Sequence, residues 1–232
     1  MKNSNKTSQL AGAFNLMKIV NAVAPSYDSI KSEVAELRKW NRNLSRRELA
    51  ELYGNRLRNK YTSVGVATSL PGAIPGFGTA AQVAIEAGTI SGDLALMLRW
   101  MAAGCYGIGL IYEKDIRSEF NQEFVKILGI WCGVIKAAKD CTVKVATKAT
   151  VSIINRNVSG KVLNKINQKV GFTLFTKYGT KRGGIALGKL IPFGVGAAIS
   201  GAFNFSTMNG FKASAINYFG GSPDEVYIVE ES

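Results

Sequence analysis

The sequence predicts an all-α protein: a helical bundle with two apolar helical hairpins opened by Pro/Gly turns and flanked by basic amphipathic helices. Three observations carry this. Apolar residues recur at three- and four-residue spacing through the charged segments. Two uncharged runs, the 25 residues from Tyr61 to Ile85 and the 22 from Leu190 to Phe211, each pass through a Pro/Gly break. Charge is distributed in blocks, with 12 basic and 5 acidic groups in residues 1–60, 1 and 2 in 61–112, 14 and 5 in 113–183, and 2 and 4 in 184–232. Basic segments therefore alternate with nearly uncharged ones.

Residues 1–25 form an N-terminal amphipathic segment. Lys2 and Lys6 precede the apolar "LAGAFNLM", but Lys18 interrupts the run and Pro25 follows the only Ala-x-Ala, so the segment reads as uncleaved. Residues 26–220 are taken as a single helical domain and 221–232 as an acidic tail that frays, with "VYIV" as a minor strand at most. In residues 26–40, Ile30, Val34 and Leu37 share a helix face and Ser26 or Asp28 can cap it. A second helix follows, with Ser45 and Glu48 in capping-box register and Leu49, Leu52, Tyr53 and Leu57 on one side. Both carry a basic outer face.

The first apolar run contains "SLPGAIPGFGT". Pro71, Gly72, Pro75 and Gly76 end one helix there, and a long helix is expected to start near Thr79 and to run through "LALMLRWMAAGCYGIGLIY". Length alone would let such a helix span a bilayer, which needs about 20 apolar residues. Glu86 and Asp93 lie on roughly one face of it and, with Arg99 and Asn204, are candidate polar anchors between packed apolar segments. Residues 113–135 read as another amphipathic helix. Beyond it lies the most basic part of the chain, with 12 basic residues between Lys126 and Arg182 and one acid, Asp140. Lys136, Lys139, Lys144 and Lys148 recur among small apolar residues, and after a loop at "NRNVSG" Lys161, Lys165 and Lys169 stand four apart beside Val162, Leu163, Ile166 and Val170. This pattern suits helices that lie on a negative surface. The second apolar run opens on Pro192 and Gly194 and continues as a helix rich in small residues.

Composition narrows the function classes. The net charge of +13 implies an acidic partner, either an anionic membrane surface or nucleic acid. The complete absence of histidine removes Ser/His and Cys/His dyads and the commonest metal ligand. Cys105, Cys132 and Cys141 form no C-x-x-C pair, which fits a reducing compartment better than a disulfide framework or a zinc ribbon. Gly76-x-Gly78-x-x-Ala81 matches a dinucleotide fingerprint, but two prolines stand where the entering strand would be. Gly183 to Lys189 satisfies the first seven positions of a phosphate-binding loop, but Leu190 replaces the Ser or Thr that would hold magnesium. The expectation is a protein that is not an enzyme and has no metal or cofactor.

With these residues in place the chain resembles the EcsC family and, more distantly, the helical domain appended to some Era-like GTPases. The resemblance runs from about Tyr61 to Tyr218 and rests on short motifs. They are the Pro71 to Gly78 turn, the acid at Glu86 or Asp93, Leu98-Arg99, Tyr106-Gly107, Lys189 with Ile191-Pro192 and Gly194, and Asn204 with Thr207. It departs from the family where Leu190 separates Lys189 from Ile191. The resemblance implies a membrane-associated helical protein, linked by the family's name to an ABC-transporter operon, rather than a reaction. The expected function is binding to anionic membrane lipids on the cytoplasmic side through Lys136 to Lys169, with insertion of the apolar hairpins and a membrane protein as a further partner. The alternative is a soluble helical nucleic-acid-binding protein that uses the same lysines.

Overall fold

The computed structural model describes residues 16–67, 92–137, 150–153, 160–174, 195–222 and 225–231. Helices dominate: α1 (Leu16–Val23), α2 (Tyr27–Trp40), α3 (Arg46–Ala67), α4 (Gly92–Ile111), α5 (Phe120–Trp131), α6 (Gly160–Leu174) and α7 (Val195–Gly220). Three short strands, β1 (Ile135–Ala137), β2 (Thr150–Ile153) and β3 (Tyr227–Glu231), make one small sheet. The architecture is all-α with this small sheet packed onto it. Pro71, Gly72, Pro75, Gly76, Pro192 and Gly194, the turns expected to open the two hairpins, lie outside the described residues, as does Glu86.

Local chemistry accounts for the helix ends. Ser26 caps α2 by accepting a hydrogen bond from the Ser29 N–H at 3.2 Å. Ahead of α3 the expected capping box is formed: the Ser45 N–H and Oγ donate to Glu48 Oε2 at 2.9 and 2.7 Å, and the Glu48 N–H returns a 3.3 Å bond to Ser45 Oγ. Of the residues expected to face inward, Ile30, Val34, Leu37, Leu49, Tyr53 and Leu57 are buried, and Leu52 is half-buried against the core. α4 and α5 each close in a Schellman turn. In the first, Glu113 takes the left-handed conformation at φ 62° while the N–H groups of Glu113 and Lys114 reach the carbonyls of Leu110 and Gly109. In the second, Gly133 at φ 74° plays the same part, and Gly133 and Val134 donate to Ile130 and Gly129. That second turn ends the helix expected over 113–135 at Trp131, and residues 113–119 belong to the turn and loop that follow α4, so the helix starts only at Phe120.

The core is organised around α4, which packs against α1, α2, α3, α5 and α7. A helix that is apolar on every side is stable only if every side is covered, and here Ala95, Leu96, Met97, Leu98, Met101, Ala102, Ala103, Cys105, Ile108 and Ile111 are all buried by protein. Gly107 permits the closest approach, since a Cβ at that position would fall inside the van der Waals envelope of the Tyr53 ring. Tyr106 stacks on Phe120 with ring centroids 4.2 Å apart and meets Tyr27 edge-on at 5.4 Å. Among the described residues no helix is long and apolar enough to cross a membrane.

The sheet order is β1-β3-β2, with both outer strands antiparallel to β3. Ile135 pairs with Val229 and Ala137 with Tyr227, while Thr150 pairs with Glu231 and Ile153 with Ile228. Two expectations are corrected here. Lys136 belongs to a strand rather than to a basic helix, because β3 satisfies the backbone of residues 135–137. The tail expected to fray supplies the central strand, where Val229 is buried in the main core.

Candidate anionic-surface site

α6 holds the clearest group of the expected cation-bearing residues. Its apolar side is anchored by Val162 and Ile166, both fully buried, and the Ile166 side chain lies with Ile135 where α5 passes at Gly129. Lys161, Lys165 and Lys169 form a stripe of their own beside that buried pair, since Lys165 and Lys169 each follow a buried residue by three positions. Lys161 and Lys169 are exposed and Lys165 is half-buried. The helix contains no acid along its 15 residues. Lys136 is exposed on β1, its neighbours Ile135 and Ala137 turned inward. Lys139, Lys144 and Lys148 lie outside the described residues.

The polar anchors divide. Asp93 stands in the first turn of α4 and Asn204 in the first half of α7. Arg99 is fully placed: its Nη1 donates to the Val23 carbonyl at 2.9 Å, so it ties the C-terminal end of α1 to α4. Burial pulls its guanidinium below the usual arginine range. The neighbouring Trp100 has a buried Nε1 with no hydrogen-bond partner among the described residues, and the Lys60 ammonium sits 5.9 Å from the centre of its ring.

Sequence reading missed a buried ionic cluster on α5. Lys126 Nζ is 2.7 Å from Glu123 Oε1, with Glu123 9% and Lys126 7% exposed. The Tyr218 hydroxyl of α7 hydrogen-bonds the same carboxylate; burial, reinforced by that carboxylate, pushes its phenol well above the ordinary tyrosine value. Burial likewise raises the Cys105 thiol, with Glu123 adding to the effect, so Cys105 stays protonated and unreactive. An i, i+3 Glu/Lys pair looks like a surface pair in a sequence, and its one signal here was the apolar company of Phe124, Val125, Ile127 and Leu128. The pair holds helices together and presents no group to a ligand.

Two further cations are engaged between helices. Lys212 on α7 pairs with Glu51 at 2.5 Å and donates to Asn55 at 3.0 Å, and Arg58 on α3 covers the Phe205 ring at 4.1 Å and donates to Asn209 at 3.2 Å. These contacts knit α3 to α7, while Lys161 and Lys169 are exposed on α6, whose main helix neighbour among the described residues is α5. Compared with known proteins, the chain matches no family model, and no curated protein and no solved structure matches it significantly.

Proposed function

We propose that this is a non-enzymatic, membrane-associated protein of EcsC type that attaches to anionic lipid on the cytoplasmic face through the basic side of α6. The observation that carries the reading is the lysine stripe of α6, which has no acid to balance it. Val162 and Ile166 are fully buried while Lys161 and Lys169 are exposed, on a helix without a single acid. A lysine face of this kind gains about 1 kcal/mol per cation at an anionic bilayer surface. An ordinary solvated helix would interleave both signs. The burial of α4 on all sides favours attachment at the surface over insertion of residues 92–111.

The test is co-sedimentation of the full chain with phosphatidylcholine vesicles and with vesicles containing phosphatidylglycerol, at low and high salt, with duplex DNA as competitor. The expected result is pelleting with the anionic vesicles alone, reversed by salt, and a loss of at least tenfold in K161E/K165E/K169E. Failure to pellet, with tight DNA binding instead, would transfer the same lysines to the nucleic-acid reading.

A further inference from the structure

The corner between α2 and α3 carries an unusual combination. Trp40, the last residue of α2, is 80% exposed, and Leu44, four residues on, is 37% exposed. Around them stand Lys39, Arg42, Arg46 and Arg47, all exposed, and from Arg38 to Arg47 the sequence contains five cations and no acid. Arg46 is held by Glu113 at 2.6 Å, whereas Lys39, Arg42 and Arg47 enter no ion pair among the described residues.

The corner is fixed by its surroundings. Arg38 Nη2 donates to the carbonyls of Leu110 and Ile111 at 3.1 and 2.7 Å, which pins the end of α2 to the end of α4. Asn41 Nδ2 donates to the Leu37 carbonyl at 2.8 Å, the Leu44 N–H to the Asn41 carbonyl at 3.2 Å, and the capping box at Ser45 starts α3 at once. Trp40 is therefore presented by a braced turn. A single exposed apolar residue needs no explanation. A tryptophan and a leucine ringed by unpaired cations on a rigid corner is a different matter. An indole prefers the boundary between headgroups and acyl chains, and lysine and arginine stems reach from that depth to lipid phosphates.

We propose that this corner is a second membrane contact, in which Trp40 and Leu44 enter the interfacial layer of an anionic bilayer while Lys39, Arg42 and Arg47 bind its phosphates. It rests on the reading that the protein meets anionic lipid, and it names a site on the opposite half of the chain from α6. Charge complementarity selects the occupant. A neutral protein groove would leave the cations without partners, and a nucleic acid would meet the cations while leaving Leu44 without an apolar environment.

The test follows tryptophan emission of the full chain on titration with phosphatidylglycerol-containing vesicles, in the wild type and in W40F, alongside sedimentation of W40A and R42E/R47E. The expected results are a blue shift in the wild type that is absent in W40F, and binding weakened on the order of tenfold in each of the other two variants. Because Trp40 is mostly exposed, its replacement should leave the thermal transition in place, and a melt of each variant checks this. Wild-type binding by W40A and R42E/R47E, with binding lost in K161E/K165E/K169E, would overturn the corner and leave the α6 reading standing. Absence of binding by the wild type would bring down both. Emission that responds to duplex DNA and not to vesicles would assign the corner to nucleic acid and overturn the lipid proposal.

Discussion

α4 and α6 both bury apolar residues, and the protein surrounds them to very different extents. α4 is covered by five other helices, whereas α6 buries Val162 and Ile166, half-buries Lys165 and exposes Lys161 and Lys169. The difference shows that hydrophobicity along a helix does not state where the helix will be used. α4 is the more apolar of the two and is the one committed to the interior of the protein. α6, less apolar and carrying only positive charge, leaves Lys161 and Lys169 exposed. α5 lies between them, touching α4 and α7 as well as α6 and β1.

The severest way to break this arrangement is at that junction. Glu123→Ala should cost about 3–5 kcal/mol in urea unfolding, because the Lys126 ammonium would remain buried without its carboxylate. Replacing both residues, as in E123L/K126M, should recover most of the loss. If the single and double variants were equally unstable, the pair would not be the source of the effect.

A milder test asks how tightly α4 is enclosed along its own length. Gly107→Ala should destabilise by about 1–3 kcal/mol, since the added methyl meets the Tyr53 ring and Tyr53 is itself fixed by a 3.3 Å hydrogen bond to the Ala103 carbonyl. Gly104→Ala, one turn earlier, finds its nearest neighbours at 3.7 Å and should be neutral or gain up to about 1 kcal/mol from helix propensity. Equal melting temperatures for the two variants would mean that the Tyr53 contact does not limit α4.

The smallest effect belongs to the exposed rim. Hydrogen bonds from Ser45 hold the Glu48 carboxyl below the usual glutamate range, so its contribution to stability is present above the unfolded value and drains away as pH falls through the folded one. Thermal melts of wild type and Ser45→Ala should therefore differ by a constant amount above about pH 5 and converge below it. The remaining difference at acid pH is the share due to Ser45 Oγ accepting the Glu48 N–H.

Much of this was legible in the sequence where the signals were local. The capping box at Ser45, a cap at Ser26 or Asp28, and the apolar faces of α2 and α3 are legible from spacing alone, because helix starts are set by residues within one turn. The lysine face of α6 followed from the same rule. For α4 the helix was legible but its surroundings were not, since a core helix and a membrane helix share one pattern and only the packing of distant segments separates them. β1 escaped for the same reason: Lys136 and Lys139 have helical spacing, and residues 135–137 are held extended only because β3 arrives from far along the chain. Glu123 and Lys126 were hidden because their burial depends on Tyr218 of α7, which no window around α5 contains.

The position of β3 between β1 and β2 has a consequence for the order in which the molecule can be finished. During synthesis the two outer strands leave the ribosome long before Tyr227–Glu231, and because among the described residues each pairs with that segment alone, the N–H and C=O groups that it will match wait for its arrival. The last of the described strands to be made is the one that joins them and secures β1, beside the end of α5, to β2, which comes before α6. A nascent chain halted short of residue 227 would carry two open edges, a recognisable mark of incompleteness for the chaperones and proteases that survey new proteins.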